Sequence, residues 1–364
     1  MTESAKKNRI IFIDLMRAFA VLQMVQGHTV DVLLANNFRN LDYPVFHFWL
    51  FMRGMTAPIF MFTAGTVFTY LFRLVNKPFE LNPRVKKGIK RFLLLLFLGY
   101  LLRYPTPSIF NFSKVSPAQW DTFFAVDVLH LIGFGILFLV ILLFISEKFK
   151  LNNYAAFIFG ALIFFGLYSP FSKINWMNIF PQWLAGYFYT GTGSNFPLFP
   201  WAGYVIAGGV LGGYLAKHPL IFKSYKFSIK LAVWGLILIA LSLIGNEIEL
   251  ALTGTSNFWT SSPNLIFLRL GIVLLLNSLV SLISIKVESI PRIIILIGRN
   301  TLLIYVVHLA ILYGSAWNPG LASVFDHRLD VWNTVGIALL MILTMTAMVY
   351  VIHRFKIRNK ELVT

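Results

Sequence analysis

The sequence predicts an all-α integral membrane bundle of about ten helices (ten or eleven), and three observations carry that prediction. Residues AVILMFWYC make up 58% of 364 positions, charged residues only 12%, and mean hydropathy is +0.75. A soluble domain carries roughly 25% charged residues, so this chain lacks the side chains to cover a water-facing surface of its size. Apolar stretches of spanning length recur along the chain, and Lys and Arg divide unequally between alternate loops. A soluble enzyme, a disordered chain and a collagen-like fibre are excluded. The absence of cysteine removes disulfides, thiolate metal sites and a Cys nucleophile.

Each span follows from its own apolar run. Met1–Arg9 is polar and basic and leads into an apolar stretch of about 25 residues, too long for a signal-peptide core, so it is read as a retained first span. The predicted spans are 10–34, 47–72, 91–110, 124–145, 152–170, 198–216, 228–246, 263–285, 293–315 and 333–352. No internal repeat and no low-complexity linker separates them, so 1–364 reads as a single transmembrane domain. The longest irregular stretch, 171–197, is rich in aromatics and glycines; it suits a re-entrant loop over a cavity or a headgroup-level aromatic belt.

Of the 31 Lys and Arg, 23 fall on one side of this arrangement and five (Arg39, Arg103, Lys114, Lys173 and Arg328) on the other; Arg17, Arg53 and Arg269 lie inside spans. That split places both termini in the cytoplasm and accounts for the net charge of +17 without any nucleic-acid partner.

A charge in the bilayer core costs several kcal/mol unless it faces the bundle interior or water, so ionisable groups inside spans point to function. In the first span, Asp14 and Arg17 are three residues apart and can pair on one helical face. Arg17 and His28 are eleven apart, which is three turns plus about 20°, so they share that face about 16 Å apart along the axis. Asp31 extends the stripe outward. A packing pair for Asp14–Arg17 and a hydrogen-bonded core role for His28 stand beside the functional reading. In the second span, His47 sits at the outer mouth and Arg53 about two turns deeper with no acid on its own helix, so a partner or anionic ligand is expected. Asp127 and His130, three apart, form either a carboxylate–imidazole pair or a helix-start contact. Arg269 is a lone basic group in the eighth span, Tyr305 and His308 share a face of the ninth, and Gly208, Gly209, Gly212 and Gly213 form small-xxx-small patterns suited to close helix packing.

The inner loop 73–91 holds seven basic residues against one acid. Arg84, Lys87 and Arg91 recur at helical spacing and would bind lipid headgroups or a phosphate-rich cosubstrate. No Walker loop, no GxGxxG after a strand, no HExxH and no G-x-S-x-G is present, so phosphoryl transfer from ATP, dinucleotide redox and zinc proteolysis lack support, and no metal is expected.

Five segments in order, RIIFIDLMRAFAVLQMVQGHT, FMRGMTAPIFMFTAG, DVLHLIGFGIL, FPLFPWAGYVIAGGVLGGYL and GRNTLLIYVVHL, resemble bacterial members of the heparan-α-glucosaminide N-acetyltransferase-like family, within a wider superfamily of membrane acyltransferases. The resemblance spans 9–315. It implies transfer of an acetyl group from cytosolic acetyl-CoA to a sugar amine or hydroxyl outside the cytoplasm, in a bacterial inner membrane, with homodimers common in the family. In the related polysaccharide acetylases an Arg-x10-His pair is functional and maps onto Arg17 and His28. In the glucosaminide acetylases the position of His28 is Asn and the important His follows in the next segment, where the first His here is His47. The base therefore falls to His28 or His47.

The mechanism expected from both readings places CoA phosphates on Arg84, Lys87 and Arg91, threads the pantetheine arm through the bundle, and lets Arg17 or Arg53 polarise the thioester carbonyl. Asp14, Asp127 and His130 join Arg17 and Arg53 as substrate-binding groups. Direct transfer and an acyl-histidine route both remain open at this level. So does a secondary transporter of an anionic solute, which would also bury Arg, His and Asp.

Overall fold

The structure, a computed structural model, describes residues 11–218, 220–259, 262–287 and 290–361. Lys6, Lys7 and Arg9, which entered the charge count, lie outside them. Regular structure is helical almost throughout: α1 (Ile11–Leu33), α2 (Pro44–Arg73), α3 (Pro83–Leu102), α4 (Pro117–Phe124), α5 (Val128–Lys148) and α6 (Asn153–Gly166), then α7 (Leu198–Lys217), α8 (Tyr225–Thr253), α9 (Asn264–Lys286), α10 (Arg292–Arg299), α11 (Thr301–Leu312) and α12 (Val331–Glu361). Among the described residues the paired strands are β1 (Gly314–Ser315) and β2 (Asn318–Pro319), a two-residue antiparallel ladder.

Each of the ten predicted spans contains helix. Seven helical stretches among the described residues are long and apolar enough to cross a membrane, and α10 with α11 makes an eighth if the pair is one span. α1 and α3 fall outside that set; both interleave charged residues with apolar ones. The protein is an all-α polytopic integral membrane protein. Its lipid-compatible faces are explicit in α8 and α12, where Ile229, Trp234, Leu241, Leu243, Leu339 and Leu343 are exposed. In water such faces would cost about 25 cal/mol per Å² of apolar surface left unburied, a cost that lipid removes.

Several helix ends lie beyond or short of the expected bounds, with α3 ending at Leu102, α8 at Thr253 and α12 at Glu361 against 110, 246 and 352. The third span begins at Pro83, not 91, because Asn82 caps the helix: its side chain accepts from the Arg84 backbone N–H at 2.9 Å, and Pro83 occupies a first-turn position where no N–H is needed. The basic residues therefore lie on the helix itself. The ninth span, expected to be continuous over 293–315, is bent by 75° between α10 and α11. The break falls at Asn300, whose backbone leaves the helical region (φ −106°, ψ 26°) and whose side-chain amide shares the Leu296 carbonyl with its own backbone N–H, at 2.8 and 3.1 Å. Segment 171–197 is short turns of helix whose rings pack on one another: Trp176 stacks on Phe180 at 5.8 Å, and Phe171 meets Phe199 at 4.3 Å.

The chain divides into two compact units, each taken over its described residues. One holds 61–105 and 111–286, the other 10–60, 106–110 and 287–364. In the first unit the helices pair as α3 with α5, α6 with α7 and α8 with α9. Its tightest approach is glycine-mediated. A Cβ built on Gly208 would lie 1.9 Å from the Phe62 carbonyl oxygen, and one on Gly65 would lie 1.8 Å from that of Val205. Thr66 Oγ1 donates to the Gly208 carbonyl at 3.0 Å across the same contact. The small-residue pattern of α7 is thus a backbone-to-backbone seam, as its spacing predicts.

In the second unit α1 is the central element, with α10, α11 and α12 packed around it. Phe12, Met16, Ala20, Val21, Val25 and Leu33 form its buried apolar faces. The chain leading into α12 is tied to the end of α1, with Ala35 N–H donating to Leu329 O and Leu329 N–H to Leu33 O, each at 2.9 Å. Asp330 then starts α12 by accepting from the backbone of Trp332 at 2.9 Å and Asn333 at 3.0 Å. Those hydrogen bonds, those of Asn333 first, hold the Asp330 carboxyl below the usual carboxylate range, so this cap persists above that value and is lost only as the pH falls through it.

Gly208→Ala should lower thermal stability in detergent by about 1–3 kcal/mol through overpacking against Phe62. Gly166→Ala, where an added Cβ meets nothing within 4 Å, should leave it unchanged. Equal melting of the two variants would show that the seam is not tight.

Candidate functional site

The polar stripe of α1 organises the site in the second unit. Near the start of α1, Asp14 is buried and its carbonyl lies against Gly298 at the end of α10, where a Cβ would come within 2.4 Å. One turn on, the Arg17 guanidinium donates to Thr301 Oγ1 at 3.1 Å. The bend at Asn300 therefore delivers the first residue of α11 to Arg17. The carbonyl end of α10 carries negative partial charge, which suits a guanidinium nearby.

Toward the other end of α1, Asp31 gathers two arginines. It forms an ion pair with Arg53 of α2, and Arg39 Nη1 lies 3.5 Å from its other oxygen. The partner expected for Arg53 is thus an acid on the neighbouring helix. Arg53 passes close to Gly27: a Cβ there would sit at ordinary contact distance, 3.6 Å, from Arg53 Cγ. Trp49 Nε1 adds a second α1–α2 link, donating to Gln26 Oε1 at 2.9 Å.

His28 lies between Gly27 and the Asp31 turn. Its ring meets His308 of α11 edge-on at 5.4 Å between centroids, and Tyr313 at 6.1 Å. His308 is fully buried and packs its other side on Tyr305 at 5.6 Å. Its Nδ1 stands 2.9 Å from the Ile304 carbonyl oxygen. A carbonyl only accepts, so Nδ1 carries the hydrogen and the lone pair of the neutral ring is on Nε2. The sequence shows Tyr305 and His308 on one face but not that this face meets His28. Thr301 and Tyr313 are likewise unmarked by any local pattern. His47 is exposed in the first turn of α2.

The first unit holds the remaining site residues. Asp127 and His130 do meet, and the contact runs from the Asp127 backbone N–H to His130 Nδ1 at 3.1 Å, the geometry of a helix start. The Asp127 carboxylate accepts from the Val128 N–H and pairs with Arg103 Nη2 at 3.4 Å. His130 is fully buried, 4.4 Å from the Tyr100 ring, and rests on Gly99, where a Cβ would overlap its imidazole. Tyr100 and Tyr187 share a 2.9 Å hydroxyl contact; burial and then that hydrogen bond push the Tyr187 phenol above the ordinary tyrosine range. Arg84 and Arg91 are half-buried and Lys87 is exposed on the first turns of α3. Arg269 sits over the Trp201 ring at 5.4 Å, beside the buried Tyr204.

Two features of this geometry suit group transfer: a pair of imidazole rings in contact, and guanidinium groups of the kind that stabilise a developing oxyanion. Comparison with known proteins agrees. Residues 10–354 match the family described as acyltransferase domain. The chain belongs to that family. No curated protein matches it. The family segment runs across both units, and the protein is a membrane acyltransferase.

In this acyltransferase the Arg53–Asp31 pair is half-exposed, at 36% and 27% of side-chain area, so its coupling is set by partial desolvation. A double-mutant cycle of Arg53→Ala and Asp31→Ala, read by thermal unfolding, should give a coupling of about 1 kcal/mol. Strict additivity would show that the pair contributes nothing to joining α1 and α2.

Proposed function

We propose that this acyltransferase moves an acetyl group from cytosolic acetyl-CoA to an amine or hydroxyl of a sugar-like acceptor on the extracytoplasmic side. The observation that carries the assignment of the base is the His28–His308 contact on a helix whose eleven-residue Arg17–His28 spacing matches the Arg-x10-His of polysaccharide acetylases. The wider set of segments that resembles the glucosaminide N-acetyltransferases supports a sugar amine as acceptor. The lopsided Lys/Arg distribution supports cytoplasmic termini, and the Cys-free, Lys- and Asn-rich composition fits a bacterial inner membrane.

The chemistry follows from the residues. The acceptor nitrogen or oxygen attacks the thioester carbonyl carbon, its proton passes to the neutral imidazole of His28, the carbon–sulfur bond breaks, and the proton ends on the departing CoA sulfur. General-base help of this kind is worth about 10²–10⁴-fold. Arg17, held by Thr301, is assigned to the polar groups of the acyl donor, and Arg53 to the acceptor side with Asp31 as its counter-charge. Arg84, Lys87 and Arg91 are assigned the phosphates of CoA: three cations on the first turns of a helix place positive charge and the helix dipole together. Asp14 supports the α1–α10 contact, and Asp127 and His130 act through the helix start that they hold.

The test is purified protein with radiolabelled acetyl-CoA and glucosamine. Acetylated sugar is expected, falling about 10²–10⁴-fold in folded His28→Ala and remaining in His47→Ala. Full turnover in both variants would remove the base assignment. Solute uptake by vesicles without acetylation would remove the enzyme reading.

A further inference from the structure

The proposed reaction leaves a fully buried second imidazole in contact with the base. We infer that His308 is a proton relay for His28, receiving the acceptor's proton from it and returning it when the CoA thiolate departs. This rests on the acetyl-transfer reading above and adds a residue to it.

The geometry argues for a relay in three steps. The rings of His28 and His308 lie edge to face at 5.4 Å and 62°, in direct ring contact, and the relay runs between their nitrogens along that contact. The Nδ1–H of His308 is committed to the Ile304 carbonyl at 2.9 Å, so the lone pair that takes a proton is on Nε2, the end remote from its own backbone. The same Nδ1–H···O=C bond is present in the neutral ring and in the imidazolium. His308 can therefore gain and lose a proton at Nε2 without turning over, which makes its readiness independent of protonation state.

The proton account closes. As the acceptor–carbonyl bond forms, the acceptor's hydrogen moves to His28 and a hydrogen from the His28 ring moves to Nε2 of His308. As the carbon–sulfur bond breaks, the proton retraces this path to the thiolate. No oxidant, reductant or additional reactant takes part. The surroundings suit transient storage: His308 is fully buried, and Tyr305, at 5.6 Å and 76°, presents its ring to it from the same helix. A proton held there is out of contact with bulk water.

Two substitutions separate a relay from a purely structural contact. His308→Asn keeps a donor near the Nδ1 position, able to satisfy Ile304, but has no basic nitrogen. His308→Gln keeps a polar group near Nε2 and also cannot be protonated. With both variants checked for folding by thermal melting in detergent, the relay predicts a fall in kcat of about 10²-fold in each, with KM for acetyl-CoA and for glucosamine unchanged. If His308→Asn restores full kcat, the residue serves only to cap Ile304 and the relay is wrong. His28→Ala, assayed in parallel, keeps the two readings apart. Loss of turnover there with full turnover in His308→Asn overturns the relay alone, whereas full turnover in His28→Ala overturns the catalytic reading on which it rests.

Discussion

A guanidinium sunk among apolar helices must find an acid, a hydroxyl or a carbonyl, because the bilayer core offers no water to carry its charge. That requirement shapes the second unit more than any apolar contact. Arg53 leaves α2 and reaches Asp31 past Gly27, and Arg39 closes on the same carboxylate. Arg17, two-thirds of the helix away, is met by the hydroxyl that the α10–α11 bend brings to it. One helix, α1, thus supplies the polar partners for its neighbours at both ends, and the apolar faces between them, from Phe12 to Leu33, have only to be filled. The polar stripe sets which face of α1 looks inward.

Hydropathy made the spans legible, because roughly 20 apolar residues cross a bilayer whatever lies beside them. Every one of the ten stretches holds helix. What hydropathy does not record is where a helix breaks or begins. The bend falls at Asn300, where one residue's backbone leaves the helical region, a local event invisible to a window average. The start of α3 lay in capping chemistry, Asn82 followed by Pro83, and reading that signal would have put Arg84 and Lys87 on the helix at once. The seam between α2 and α7 was legible for the opposite reason: glycines at four-residue spacing state directly that backbones meet.

The site divides along the same line. Residues whose partners sit on their own helix, such as Asp127 and His130, were placed together by spacing alone, and the two readings left open there resolve as a helix start. Residues whose partners come from elsewhere in the chain were marked as needing one without its identity being readable. Arg53 demanded an acid and Asp31 answers it; His28 gave no hint of His308, since nothing in a sequence separated by 280 positions says which faces of two helices touch. Tertiary contact supplied the second imidazole.

The two fully buried histidines show how a helix decides what an imidazole can do. At a helix start the backbone presents unsatisfied N–H groups, so His130 accepts at Nδ1, and its hydrogen is forced onto Nε2. Inside a helix every N–H is already used and only carbonyl lone pairs remain, so His308 donates from Nδ1 and its lone pair is forced onto Nε2. The same side chain, equally buried, becomes a donor at its far end in one place and a base at its far end in the other. His130 has its ring packed against Tyr100 and Gly99 at the start of its helix. His308 has its ring against a second imidazole that sits on the polar stripe of α1. Position along a helix, before any partner is considered, has already sorted one histidine toward structure and the other toward proton transfer.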